Sequence, residues 1–166
     1  MKLARRPATR PQFPPWRLPA TTLSSPVRLI PVPAIQQVKP GTRTTIVFTG
    51  ASPVRFQPNT TAFVDPAGAS RALAPIASWL AADRSRHAWL EGTTADVGPL
   101  SGQRSLSVLR AEHARDVLVS LGAAGTQITV KGVGSDFPQF TPDRNAAGTL
   151  RAGPATLNRS VRITLG

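Results

Sequence analysis

The chain has 166 residues, enough for one domain of ordinary size with an additional segment, and it has no cysteine, which excludes a disulfide framework and a thiolate metal site. Its formal net charge is +12, but eight of the 20 Lys and Arg residues, and no acid, fall in residues 1–43. Residues 44–166 carry a net charge of only +4, so the basic character does not indicate a strongly basic face on the folded part.

Residues 1–40 are predicted to form a basic, Pro-rich tail that is largely disordered, with an extended edge segment over 27–40. Such a tail attracts polyanions, including nucleic acid and anionic wall polymers. The start is basic, as in a signal peptide, but repeated prolines interrupt any apolar run, so no signal peptide is recognisable. No transmembrane segment is predicted, because no apolar run approaches the ~18–20 residues that a spanning helix requires.

The folded part is predicted to begin with a strand over 44–48, followed by a short extended piece at 54–56. Asp65 and Pro66 are typical of a helix N-cap and first position, and this helix should reach about Ala82. Pro75 either kinks the helix or marks its true start. A buried stripe is expected from the helical spacing of four residues: Leu73, Ile76, Ala77 and Leu80.

A second strand is predicted over 88–92, and a second helix should start between Pro99 and Ser107 and end at Gly122. The apolar face of this helix is predicted to comprise Leu106, Leu109, Ala114, Val117, Leu118 and Leu121. Alternation predicts strands over 127–134 and 160–165, joined by a long Gly/Pro loop over 135–157.

The element order is strand, helix, strand, helix, strand, loop, strand. Helical crossovers favour parallel pairing, and the last strand should complete a mixed sheet. The predicted fold is therefore an α/β (α+β) two-layer sandwich over residues 41–166, with two main helices on one face of the sheet.

The residues do not favour an enzyme. The chain has no Cys, no Tyr, no Gly-x-Ser-x-Gly motif and no outstanding pair of carboxylates for acid–base catalysis. Its two histidines, His87 and His113, lack metal-ligand spacing and are read as structural. No catalytic residue, metal or cofactor is predicted.

A recognition site is the better candidate. Arg110 lies among apolar positions of the second helix, and Asp96 lies in the loop that precedes this helix. A guanidinium can hold a carboxylate by two parallel hydrogen bonds, and a carboxylate can hold an ammonium group. The pair could therefore bind an amino-acid end of a ligand. Equally, Asp96 and Arg110 could form an internal ion pair that fixes the loop.

Several segments resemble, in the correct order, the C-terminal domain of OmpA-like proteins. Leu106 to Ala111 is similar to the family's Leu-Ser-x-x-Arg-Ala, and Gly132 to Pro138 to its Gly-x-Gly-x-x-x-Pro. The other three matching segments are Phe56-Gln57-Pro58-Asn59 at the opening turn, Glu91-Gly92-Thr93-Thr94 at a strand end, and Asn158-Arg159-Ser160-Val161, similar to a terminal Asn-Arg-Arg-Val. The resemblance covers Val54 to Leu165.

The resemblance implies noncovalent binding of bacterial peptidoglycan through the diaminopimelate of its stem peptide, and a location in the cell envelope, at the outer membrane or cell wall. The family's arginine corresponds to Arg110, but its ligand-holding aspartate corresponds to Ala95, with Asp96 as the neighbouring substitute. Ser160 takes the place of the second arginine in the terminal motif. The ligand-binding residues implied are Thr93, Thr94, Asp96, Gln103, Arg110, Asn158 and Arg159.

Two other functions remain open at this point. The domain could be a protein–protein interaction domain that kept the fold and lost peptidoglycan binding, for which Ala95 is the discriminating feature. Nucleic-acid binding is favoured only by the tail, because the folded part has little excess charge and few aromatic residues for base stacking. Specific nucleic-acid binding is therefore not predicted.

Overall fold

A computed structural model describes residues 35, 38, 41–48 and 52–166. The predicted tail lies outside the described residues, except Ile35 and Val38, which are buried in the core. The packed part of the chain therefore includes these two residues. The secondary structure comprises β1 (Thr44–Val47), α1 (Pro66–Ala81), β2 (Ala88–Thr93), α2 (Leu100–Ser120), a 3-10 turn (Gly125–Gln127), β3 (Ile128–Gly134), α3 (Ala152–Asn158) and β4 (Val161–Leu165).

The four strands form a mixed sheet in the order β1-β4-β2-β3, which confirms the predicted fold class. β2 and β3 pair in parallel, whereas β4 pairs antiparallel with both β1 and β2. Gly92 lies opposite Val161, so the end of β2 meets the beginning of β4. The polar segment that follows β2 is therefore brought next to the Asn-Arg pair that precedes β4.

Helix α1 begins where the sequence predicts and continues through Pro75. The Asp65 carboxylate caps it by accepting a hydrogen bond from the Gly68 amide at 2.8 Å. The predicted apolar stripe of α1 is buried in the core. Pro75 thus lies within the helix, and the alternative that the helix starts there is wrong.

Helix α2 packs closely on β2 and β3 through small residues in its first half, and the predicted apolar face packs on the core in its second half. Leu109 is 51% exposed, whereas Ser107, Ala111 and Ala114 are fully buried. A Cβ added at Gly92 would clash with the Ser107 carbonyl, so helix and sheet approach more closely than two layers of large side chains would allow. The predicted apolar face of α2 is correct for Ala114, Val117, Leu118 and Leu121 but wrong for Leu109.

The long loop predicted over 135–157 is wrong in its last part, which forms α3. Gly153 and Pro154 in the sequence disfavour a helix interior. Both lie in the first turn of α3, where amide groups have no partner within the helix and proline loses no hydrogen bond. Helix α3 ends at Asn158, immediately before β4, and thereby fixes the position of the Asn-Arg pair.

Candidate functional site

A cavity of about 160 Å³ lies between the segment after β2, the start of α2 and Arg159. Gln103 and Arg110 are seven residues apart on α2 and so share the helix face that looks toward the sheet. The polar and small residues of the wall include Asn59, Thr94, Ala95, Gln103, Arg110 and Arg159.

Arg110 is the largest fully buried side chain of the described residues, with only 1% of its surface exposed. Its Nε donates to the carbonyl of Thr60 at 3.0 Å, Nη1 to that of Thr93 at 3.1 Å, and Nη2 to that of Gln57 at 3.0 Å. A guanidinium has five N–H groups, so each Nη keeps one hydrogen not used by these bonds. The side chain is thus held rigidly by backbone and retains donors for a ligand.

The ion pair between Asp96 and Arg110 that the sequence left open does not form. The acceptors of Arg110 in the described part of the chain are all carbonyls, and Asp96 has other partners. One Asp96 oxygen accepts from Gln103 Nε2 at 3.0 Å, and the other lies 3.6 Å from Arg144 Nε. Asp96 therefore orders the loop before α2, but not through Arg110.

The electrostatics of the cavity are dominated by two arginines. Burial, and secondly the charge of Arg159, lower the pKa of Arg110 to about 10, so it remains protonated at neutral pH. Burial also lowers the pKa of Arg159, and the charge of Asp143 opposes that shift. The charge of Arg159 thus disfavours the charged form of Arg110, and an anion bound in the cavity would offset this repulsion.

The neutral wall also offers a buried hydroxyl group. Thr94 is 3% exposed, and its buried Oγ1 has no hydrogen-bond partner among the described residues. Gln103, by contrast, is fully engaged: its Nε2 also donates to the Gly98 carbonyl at 2.9 Å, and its Oε1 accepts from the Ser135 amide at 3.2 Å. Thr94 is therefore an uncharged wall residue with a buried, unfilled hydrogen-bonding group.

Comparison with known proteins agrees with the mixed α/β fold described above. Residues 55–149, more than half of the chain, match the OmpA family. The chain belongs to the OmpA family. No curated protein sequence matches the chain.

Solved structures resemble this OmpA-family domain at low identity. The peptidoglycan-associated lipoprotein from Burkholderia pseudomallei is 22% identical, over 68% of this chain and 88% of that one, with a TM-score of 0.57. The C-terminal domain of Helicobacter pylori MotB is 21% identical, over 70% and 85% of the two chains, with a TM-score of 0.54. The OmpA-like domain of FopA1 from Francisella tularensis subsp. tularensis is 16% identical, over 74% and 79%, with a TM-score of 0.51. These likenesses concern the fold.

Thr93, Asn158 and Ser160 form the framework behind the cavity of this OmpA-family domain. Thr93 Oγ1 donates toward the carbonyls of Asn158 at 2.7 Å and Ser160 at 3.0 Å, and Ser160 Oγ donates to the Val54 carbonyl at 3.1 Å. The Asn158 amide side chain bonds both backbone groups of Thr141, at 2.7 and 2.9 Å. The structure thus places Thr93 and Asn158 outside the cavity wall, where they tie its segments together.

Sequence reasoning missed two residues of this region. Asn59 lines the cavity with a left-handed backbone, φ 56°, which asparagine adopts more readily than most residues. Its position in the Phe56-Gln57-Pro58-Asn59 segment was a usable signal. Asp143 is 1% exposed, and its Oδ2 accepts from the Asp96 amide at 2.9 Å and from Asn158 Nδ2 at 3.1 Å. Only the tertiary structure brings Asp143 to this site.

Within the described residues, no group of three or more His, Cys, Asp or Glu side chains is placed to hold a metal ion. In the same part of the chain, no helix is long and apolar enough to cross a membrane. His113 packs against Phe63, with ring centroids 4.9 Å apart, and His87 against Trp89, at 4.6 Å.

Proposed function

We propose that this OmpA-family domain is a noncatalytic module that binds bacterial cell-wall peptidoglycan in the cell envelope, as an anchor or to maintain envelope integrity. The ligand group is a carboxylate at the diaminopimelate of the stem peptide. The observation that carries the proposal is the buried Arg110 guanidinium, which faces a cavity and has no carboxylate partner among the described residues.

The burial of Arg110 indicates that its charge needs a partner. An ionised side chain out of water is stabilised only by hydrogen bonds and by a counter-charge. The three carbonyls satisfy three of its N–H groups but do not neutralise the charge. A bound carboxylate would supply both the missing acceptors and the missing charge.

Arg159 serves as the second cation. It lines the same cavity, and no described residue accepts a hydrogen bond from its guanidinium. Two guanidiniums can contact both oxygens of one carboxylate, or two neighbouring oxygen groups of a peptide. Thr94 lies in the same wall and would contact the polar groups beside the carboxylate.

The resemblance to a peptidoglycan-associated lipoprotein supports the ligand class and the envelope location through shared fold. The basic tail adds a second, less specific attraction. Its seven cations in residues 1–40 suit anionic wall polymers, which would bring the chain to the wall before the cavity binds its ligand.

Sedimentation with purified peptidoglycan sacculi at moderate salt tests the proposal. The full chain should pellet with sacculi, and Arg159→Gln should reduce the bound fraction strongly. Arg71→Gln is the matched control, because it removes the same charge from an exposed position of α1. Equal pelleting of the wild-type, Arg159→Gln and Arg110→Lys proteins would exclude the cavity as the binding site.

Absence of any pelleting would instead favour an interaction domain that has lost peptidoglycan binding. The observation that favours this alternative is Ala95, which lies in the cavity wall and is 4% exposed. Ala95→Asp should then create pelleting that the wild-type chain lacks.

A further inference from the structure

The cavity wall is unbalanced in charge. Among the described residues that line it, Arg110 and Arg159 are cationic and none carries a carboxylate. The first turn of α2 also contributes wall residues, and the amide groups of a helix N-terminus carry partial positive charge. The site is therefore suited to an anion with no positive charge beside it.

The neighbouring acids act on this imbalance from outside the cavity, where the charge of Asp143 opposes the lowering of the Arg159 pKa. Asp96 is held by Gln103 and Arg144, and Asp143 by the Asp96 amide and Asn158. Neither Asp96 nor Asp143 lines the cavity. The remaining oxygen of Asp143, Oδ1, is buried and has no partner among the described residues, so it is shielded from a ligand in the cavity.

An ammonium group next to the bound carboxylate would meet an unfavourable surface. It has three donors, which require acceptors, and a positive charge that both arginines repel. The other polar groups of the wall are neutral, namely the hydroxyl of Thr94 and the amides of Asn59 and Gln103, and Ala95 adds only a methyl group. None of them supplies the negative charge that an ammonium group out of water needs. By contrast, a neutral amide N–H in the same place would need a single acceptor, and the unpartnered Thr94 Oγ1 can supply it.

We propose that the cavity selects a carboxylate whose neighbouring amine is acylated, and discriminates against the free amino-acid end. This inference rests on the proposed function and refines its ligand class. In peptidoglycan, an acylated amine is the chemistry of a cross-linked stem peptide, and a free amine that of an uncross-linked one. The domain would then bind preferentially where the wall is cross-linked.

Acetic anhydride provides a matched pair of probes, because it converts the free amines of sacculi to neutral acetamides and leaves the carboxylates. The full chain should bind acetylated sacculi more tightly than untreated sacculi. Acetylation also makes sacculi more anionic and strengthens attraction of the basic tail, so the test compares variants that share this tail. The variants are Ala95→Asp and Ala95→Asn, which are alike in size and differ in charge.

Ala95→Asp should shift the preference toward untreated sacculi by on the order of tenfold relative to wild type, since its carboxylate provides the partner that an ammonium group needs. Ala95→Asn should keep the wild-type preference. A wild-type chain that binds untreated sacculi more tightly would overturn the inference and leave the proposed function intact. The inference also fails if Asp and Asn variants show the same preference. Failure of the wild-type chain to bind either preparation would overturn the proposed function and the inference together.

Discussion

Arg110 Nη1 donates to the carbonyl of Thr93 at 3.1 Å, and this bond connects α2 to the end of β2. The same guanidinium reaches the carbonyls of Gln57 and Thr60 in the segment between β1 and α1. Arg110 therefore holds together the segments that surround the cavity and also gives the cavity positive charge. Its removal should affect stability and binding together, whereas loss of Arg159 should affect binding alone.

Arg110→Ala should lower the free energy of unfolding by about 2–4 kcal/mol, because it opens a void and leaves three carbonyls without their donor. Arg110→Lys keeps the charge but has no planar fork that reaches three carbonyls, and should recover only part of the loss. Urea denaturation of both variants beside Arg71→Gln measures this. If Arg110→Ala were as stable as Arg71→Gln, the three bonds would not contribute to the fold.

Thr93→Val preserves the shape of a fully buried side chain and removes the hydroxyl that joins β2 to the segment before β4. It should cost about 1–3 kcal/mol, because the Ser160 amide, which donates to Thr93 Oγ1 at 3.2 Å, loses this partner. Thr149→Val, at an exposed position, is the control and should be close to neutral. Equal melting temperatures for the two variants would contradict the role given to Thr93.

Gly92→Ala tests the close approach of α2 to the sheet. The new Cβ would overlap the Ser107 carbonyl, which is backbone and cannot rotate away, so the variant should be strongly destabilised or fail to fold. Gly153→Ala is the matched control. Nothing lies within 4 Å of its added Cβ, and it should stabilise α3 by about 0.5–1 kcal/mol. A stable Gly92→Ala protein would show that the two layers can separate.

The sequence predicted the strands and main helices well because their signals are local. Asp65 and Pro66 mark the start of α1, and Gly122, with φ 106°, ends α2 as predicted. The buried face of α2 was harder to predict, because glycines in β2 and β3 set the helix–sheet distance and make small residues the correct choice there. The pattern of apolar residues along a helix does not show how closely the backbone of the neighbouring sheet approaches it.

The residues of the candidate site were likewise predictable where the signal is local, and not where distant segments meet. The motif led to the prediction of Arg110 and the terminal Asn-Arg segment to that of Arg159, because both positions follow from linear patterns, and both residues line the cavity. The partners of Asp96 did not follow, since Arg144 approaches it from a distant loop. Likewise, Asp143 supports the cavity from 47 residues away, and no spacing in the chain indicates this.

The basic tail and the cavity should contribute separable parts of wall binding. Exposed charges act through screened, long-range attraction, and at about 0.15 M salt this extends only ~8 Å. Replacing Arg5, Arg6, Arg10 and Arg17 with Gln should therefore reduce binding at low salt, with a much smaller effect at moderate salt. Arg159→Gln should reduce binding under both conditions, because its charge acts at contact inside the cavity. Pelleting of the two variants across a salt series measures the two contributions. The separation would be wrong if the tail variant lost the same fraction of binding at every salt concentration.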